Sequence, residues 1–95
     1  MKHALYIATV LALTALPAQA ACYADYKAKK DNPLQLHYGV IQLPDAACAS
    51  ARAAAQSAAP RLASAGWTLL NIVSVFNESG LGRRKANAGQ HFLRY

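Results

Sequence analysis

The sequence predicts an α+β domain in which a three-stranded sheet is covered on one face by one Ala-rich helix and held by one disulfide. Three observations lead to this prediction. Two segments have the composition of strands, an Ala-rich segment typical of a helix lies between them, and the chain has two cysteines, Cys22 and Cys48. The predicted order is strand, helix, strand, strand over residues 34–95, preceded by an irregular arm over residues 21–33.

The first predicted strand covers residues 34–43, where apolar side chains recur at every second position. One face carries Leu34, Leu36, Tyr38 and Val40, and the other carries Gln35, His37, Gly39 and Ile41. Pro44 ends the strand because it has no N–H for a sheet ladder. Asp45 is then suited to cap a helix that begins at Ala46.

The predicted helix covers residues 46–65, which are almost all Ala, Ser, Arg and Gln. Counting by three and four gives an inward stripe of mostly small side chains: Cys48, Ala51, Ala55, Ala58 (or Ala59) and Leu62. Pro60 predicts a kink or a second short helix. Gly66 supplies a left-handed residue that ends the helix.

Residues 67–76 are rich in β-branched and aromatic side chains and predict the second strand, with Trp67 in the core. Residues 77–82 have turn composition, residues 83–89 prolong the loop, and residues 90–95 are predicted to return as the last strand. The first two strands should run parallel because a helix connects them. We expect the last strand to insert between them; the alternative is that the first two strands are direct neighbours in a right-handed crossover unit.

A Gly-Trp dipeptide opens the second predicted strand in the sequence Gly66-Trp67-x-Leu69, and residues 92–95 read Phe-Leu-Arg-Tyr. With these features, residues 34–95 resemble a family of small bacterial domains of unknown function whose second strand opens with a Gly-Trp-Glu-Leu-Val type motif. Thr68 and Leu70 depart from the Glu and Val of that motif. The resemblance implies a βαββ fold and implies no activity.

Residues 1–20 have the features of a cleaved secretory signal. Lys2 precedes an apolar stretch of 13 residues (4–16), a helix-breaking Pro17 follows, and small residues Ala18 and Ala20 come before the predicted cleavage point. A membrane anchor is the alternative, but a membrane-spanning helix needs about 20 apolar residues. We therefore expect cleavage after Ala20 and a periplasmic or secreted protein without a membrane span.

Export would place both cysteines in an oxidising compartment, where they are expected to pair. The disulfide would enclose 25 residues between Cys22 and Cys48. The absence of a Cys-x-x-Cys spacing argues against a redox pair of thiols. Because Cys22 lies just past the predicted cut, lipidation of its thiol is another alternative, as is an intermolecular disulfide.

The predicted mature chain is short and basic. Its 75 residues carry a net charge of +5, and 16 of them are Ala against 15 that are Leu, Ile, Val or Phe. A chain of this length excludes a two-domain enzyme, a nucleotide-binding α/β fold and a multi-span transporter. Its thin core would depend on the disulfide for stability.

The densest positive charge is Arg83-Arg84-Lys85 in the predicted loop, and Lys27, Lys29 and Lys30 could extend it. Arginine and lysine side chains bind carboxylates and phosphates, so this segment is the predicted anion-binding site. The alternative is a solvated loop. An acidic protein, a polysaccharide or an anionic lipid surface is the expected partner, whereas nucleic acid is unlikely outside the cytoplasm.

We expect no catalysis and no cofactor. The acidic side chains, Asp25, Asp31, Asp45 and Glu78, are few, and none lies beside a His in the local sequence. The alternative function is a metal-binding or redox-active protein that uses the cysteines or a pair of imidazoles, His37 and His91, on neighbouring strands.

Overall fold

The structure is a computed structural model that describes residues 22–95. The predicted signal over residues 1–20 and its cleavage point therefore lie outside the described residues. Three strands, β1 (Cys22–Lys30), β2 (Gln35–Leu43) and β3 (Thr68–Phe76), form one sheet in the order β2-β1-β3. The helices are α1 (Ala51–Ser64) and α2 (Gly82–Ala88). The predicted α+β class, with a three-stranded sheet and one main Ala-rich helix, is confirmed.

β1 is the central strand, which corrects the prediction of an irregular arm over residues 21–33. The order of elements is therefore strand, strand, helix, strand. Ala24, Tyr26 and Ala28 are fully buried in the core on the α1 side, and they alternate with charged residues. This period-two pattern is present in the sequence, but its inward positions carry alanines instead of the β-branched residues that usually mark a strand.

β2 and β3 run parallel to each other, as predicted, because each pairs antiparallel with β1. The strand between them is β1, however, and not the segment of residues 90–95. The register between β1 and β3 shifts twice, and these irregularities leave Leu70 and Val73 without a partner on β1. The shifts explain why apolar residues of β3 follow no strict alternation in the sequence.

α1 begins at Ala51, five residues later than predicted. Its cap is Ser50, whose hydroxyl accepts a hydrogen bond from the Ala53 N–H at 3.0 Å. Asp45 does not cap this helix, because it opens a separate 3₁₀ turn over Asp45–Cys48. Residues 45–48, which the sequence predicts to lie in or next to the first turn of the helix, form this separate turn after Pro44.

The buried face of α1 consists of Ala54, Ala58 and Leu62. This set corrects the predicted stripe, of which only Ala58 and Leu62 are buried, and the shift follows from the later start of the helix. The small alanines let α1 lie close to the sheet. Pro60 lies inside a single continuous helix. Gly66, with φ of +90°, follows its end as predicted.

The core lies between α1 and the sheet. Tyr26 is its largest fully buried side chain, and its ring lies directly over Gly39, where a Cβ atom would collide with it. The requirement for glycine opposite Tyr26 therefore comes from close approach and not from backbone conformation.

Trp67 is only 9% exposed and closes one end of the core, which confirms its predicted position.

Residues 90–95 do not form the predicted strand. A 3₁₀ turn covers Gly89–His91, and Phe92 makes a single parallel bridge with Val40. The Leu93 N–H then donates to the Val40 oxygen at 2.8 Å, and Leu93 itself has a φ of +55°. A left-handed residue cannot continue a ladder, so the segment only touches the edge of β2.

The predicted disulfide joins Cys22, at the start of β1, to Cys48, at the end of the 3₁₀ turn before α1. Both cysteines contact the core, and no free cysteine occurs among the described residues. Across residues 22–95, no helix has the length and apolar character needed to cross a membrane.

Candidate functional site

The predicted basic site lies in α2, where its three side chains differ in solvent exposure. Arg83 and Lys85 are exposed, whereas Arg84 is largely buried. Consecutive residues of a helix point about 100° apart, since the helix has 3.6 residues per turn. The structure therefore does not bring the three cations together on one surface, which corrects the predicted anion-binding set.

Arg84 makes internal contacts with each part of its guanidinium. Its Nε lies 3.1 Å from Asp25 Oδ2, and its Nη1 donates to the Gly80 oxygen at 2.7 Å. The guanidinium also lies over the Phe76 ring at 3.9 Å from the ring centre. Arg84 therefore fastens α2 to the sheet and is not available to a partner.

Asp25 is the acceptor at the centre of this network, on the face of the sheet opposite α1. Its carboxylate accepts hydrogen bonds from the Tyr38 hydroxyl at 2.7 Å and the Ser74 hydroxyl at 2.6 Å. Burial by itself would raise the pKa of Asp25, but the bonds from Ser74, Tyr38 and Arg84 outweigh it and lower the pKa. Asp25 therefore stays charged, and both of its carboxylate oxygens accept hydrogen bonds from within the fold.

His37 and His91 lie together, as predicted, although His91 comes from a turn and not from a neighbouring strand. Their rings stack with centroids 3.6 Å apart and planes 14° apart. The His37 Nε2 forms a hydrogen bond with the Tyr26 hydroxyl at 2.9 Å, and the edge of Trp67 packs against the His37 ring. The two histidines are thus part of an aromatic cluster.

The stacked arrangement does not suit a metal ion. The lone pairs of an imidazole lie in the ring plane, and those of two stacked rings cannot converge on one ion at about 2.1 Å. Within residues 22–95, no group of three or more His, Cys, Asp or Glu side chains is placed to hold a metal. The geometry gives no support to the alternative of a His37–His91 metal site.

The environment of both imidazoles favours their neutral forms. Burial, followed by the charges of His91 and Lys30, lowers the pKa of His37 to about 4. Burial and then Arg94 lower the pKa of His91. The cluster is therefore uncharged near neutral pH, while the positive charges beside it come from lysine and arginine.

A cleft opens beside this cluster, with a volume of about 450 Å³. We call it the basic cleft. It is lined by residues from the end of β1, the turn after α1 and the C-terminal segment: Lys30, Ala65, Trp67, Gln90, His91, Arg94 and Tyr95. Its volume lies within the range of small-molecule and side-chain binding sites.

The lining of the basic cleft is positively charged and rich in hydrogen-bond donors. The Lys30 ammonium lies 4.4 Å from the centre of the Trp67 ring, and Arg94 supplies a second cation. Gln90 adds an amide, and no carboxylate side chain is among the lining residues. Such a lining attracts the carboxylate or phosphate group of a ligand.

Arg61 holds one wall of the cleft in place. From α1 its Nη2 donates to the main-chain oxygen of Tyr95 at 2.8 Å, and its Nη1 donates to the oxygen of Gln42 at 2.7 Å. The Tyr95 hydroxyl in turn lies 2.9 Å from His91 Nδ1. These contacts hold the C-terminal segment against the rest of the fold and define this wall of the cleft.

Sequence reasoning found one of the two cations in the cleft and missed the other. It grouped Lys30 with Lys27 and Lys29. Side chains alternate along β1, so Lys27 and Lys29 lie on the face of the sheet opposite to that of Lys30. Arg94 was not proposed as a site residue. Recognition of the period-two pattern of β1 would have separated Lys30 from its neighbours.

Comparison of the chain with protein-family models, with curated proteins and with solved structures finds no match. The resemblance to the small bacterial domains with a Gly-Trp motif therefore stays a prediction.

Proposed function

We propose that this chain is an exported, non-catalytic binding domain that holds the carboxylate groups of an acidic partner in the basic cleft. One observation carries the proposal. Two cations, Lys30 and Arg94, line a cleft with the amide of Gln90, and no acidic side chain lines it. An anion that entered the cleft would meet donors on several sides and no Asp or Glu side chain.

The charge distribution of the described residues supports this function. They include nine Lys or Arg and four Asp or Glu, and two ion pairs are formed among them, Lys29–Asp31 and Arg84–Asp25. Neither Lys30 nor Arg94 takes part in those pairs. The cations of the cleft are therefore free to exchange water for a ligand carboxylate.

A binding role also fits the buried polar groups better than catalysis. Asp25 is the buried acidic residue of the described chain, and all of its donors are structural partners. The metal or redox alternative is less favoured, because the imidazoles stack and the two cysteines are bonded to each other.

Export is the second part of the proposal. The composition of residues 1–20 supports it, and so does the Cys22–Cys48 disulfide, since such bonds persist in oxidising compartments. Intact-mass measurement on the purified native protein tests it. We expect a chain that begins at Ala21 with no added lipid, and a mass that rises by two hydrogens on reduction.

Titration with polyglutamate tests the binding site. Trp67 is the single tryptophan of the chain and lies beside Lys30, so its fluorescence reports an anion entering the cleft. We expect affinity to fall as salt is added. Calorimetry should show at least about tenfold weaker binding for Lys30→Gln/Arg94→Gln, because charge-assisted bonds contribute about 1.5–3 kcal/mol each.

Two variants serve as controls. Arg52→Gln removes an exposed cation near the start of α1, about 20 Å along the helix from the cleft. Arg83→Gln/Lys85→Gln tests the exposed part of the originally predicted site. Equal affinity of Lys30→Gln/Arg94→Gln and the unchanged protein would contradict the proposal. A polyuronate titrated in the same way distinguishes a polysaccharide partner from an acidic protein.

A further inference from the structure

The sheet has an outer face, opposite α1, that is only partly covered. α2 covers its end near Val40, which is fully buried. Toward the turn between β1 and β2, the large apolar side chains are exposed instead: Leu34 is 64% exposed, Leu36 66% and Leu70 49%. We call these three residues the leucine patch.

The patch borders a shallow apolar groove with a volume of about 290 Å³. Leu36 from β2 and Leu70 from β3 stand on either side of Lys27 from the central strand, and Tyr38 lies next to them. Leu70 belongs to the irregular part of β3, where it has no partner on β1. The register shift therefore turns an additional leucine toward this end of the sheet.

The charge beside the leucine patch is positive. Lys27 is exposed and lines the groove, and Lys29 is the cross-strand neighbour of Leu36. Asp31 pairs with Lys29 at 3.3 Å, but no acidic side chain lines the groove itself. The surface therefore combines protruding leucines with a lysine that has no ion-pair partner among residues 22–95.

We propose that the leucine patch and Lys27 form a docking surface for an anionic lipid bilayer. The leucines would enter the boundary between headgroups and acyl chains, while Lys27 would lie beside lipid phosphates. Lysines near such a surface and apolar side chains in that boundary both strengthen binding, and their contributions add.

Charge and shape favour the bilayer over other occupants. A symmetric second copy on this surface would bring Lys27 close to its counterpart, and two like charges repel each other. Leu34 and Leu36 protrude, so a rigid protein partner would need matching pockets. A bilayer deforms around the leucines, and its headgroup layer supplies the negative charge beside which Lys27 would lie.

This surface is separate from the basic cleft, so the two proposals are tested by different variants. Purified protein is sedimented with vesicles of phosphatidylcholine alone and of phosphatidylcholine mixed with phosphatidylglycerol. We expect binding to the mixed vesicles that weakens as salt is added. Lys27→Gln should weaken it about fivefold, the effect of one lysine near an anionic surface.

Removal of the apolar side chains should have the larger effect. Leu34→Ser/Leu36→Ser is expected to bind the mixed vesicles at least about tenfold more weakly. Leu93→Ser is the matched control, because Leu93 is 40% exposed and lies outside the patch. Thermal unfolding of each variant verifies that the fold is retained. Because the substituted positions are exposed, the unfolding midpoint should change little.

Three outcomes would overturn the proposal. The first is equal vesicle binding by Leu34→Ser/Leu36→Ser and the unchanged protein. The second is vesicle binding that is lost in Lys30→Gln/Arg94→Gln instead, which would assign the lipid phosphates to the basic cleft. The third is a dimer in sedimentation equilibrium that Leu34→Ser/Leu36→Ser dissociates, which would assign the patch to a second copy.

Discussion

Replacement of Arg84 by Gln is expected to destabilise the fold strongly, because it leaves a buried carboxylate without its cation. The Asp25 side chain is 6% exposed and the Arg84 side chain 17%. Removal of one partner of a buried ion pair costs about 3–5 kcal/mol. Tyr38 and Ser74 still donate to Asp25, so we expect the lower end, about 3 kcal/mol.

That loss is a large share of the stability of a domain of this size, for which about 5–10 kcal/mol is typical. Thermal unfolding followed by circular dichroism should show a midpoint about 12–24 °C lower for Arg84→Gln, since each kcal/mol shifts it by about 4–8 °C. Arg83→Gln is the matched control, with the same charge change at an exposed position of α2. It should change stability by less than about 0.5 kcal/mol.

The double variant Asp25→Asn/Arg84→Gln should lose less stability than the sum of the two single variants, because neither charge is then left alone.

The pKa of Asp25 is lowered in the fold. Its ionised form therefore adds stability above its unfolded pKa of about 4, and this is lost as pH falls through the lower folded pKa. Equal midpoints for Arg84→Gln and Arg83→Gln would refute the network as the anchor of α2.

Two further predictions concern pH and the disulfide. Since the pKa of His37 is lowered to about 4 in the fold, stability should fall between pH 6.5 and 4, where the unfolded chain binds a proton that the folded chain does not. The largest loss in the free energy of unfolding from this pKa difference would be about 3 kcal/mol. Because His37 is partly exposed to solvent, we expect a loss of about 1–2 kcal/mol. An NMR titration that places the His37 pKa near 6.5 would contradict this. Reduction of Cys22–Cys48 should cost about 3.5 kcal/mol by loss of loop closure, and an unchanged urea midpoint on adding reductant would count against it.

The sequence was sufficient for the elements with strong local signals. β2 alternates apolar and polar residues, α1 is a run of good helix formers, and Gly66 ends that helix with a positive φ. The disulfide followed from the predicted export together with the presence of two cysteines, which allow one intramolecular pairing. In each case the decisive interaction is within the element or is the only pairing available.

β1 was missed because its position depends on tertiary contacts. Its inward residues include Ala24 and Ala28, whose small side chains give little strand preference, and its outward residues include Asp25 and Lys27. A charged residue at the centre of a sheet is stable only because Arg84 arrives from a distant segment to pair with it. No local pattern carries that information.

The position of the basic cleft was not predictable from the sequence. A surplus of positive charge indicated an anionic partner, and the sequence drew attention to its densest segment, residues 83–85. Helix formation turns the middle residue of that segment inward, while the chain brings Lys30 and Arg94 to one cleft from opposite ends. Charge density along a sequence therefore does not show which cations share a surface.

The place of β1 in the sheet has a consequence for how the chain folds. β1 is synthesised first among the three strands, and it needs β3, more than forty positions later, before both of its edges are paired. The hairpin of β1 and β2 forms through local contacts, but the second pairing is long-range and slow to close. Until it closes, an unpaired strand edge is open to other chains, so a product truncated before residue 68 should aggregate.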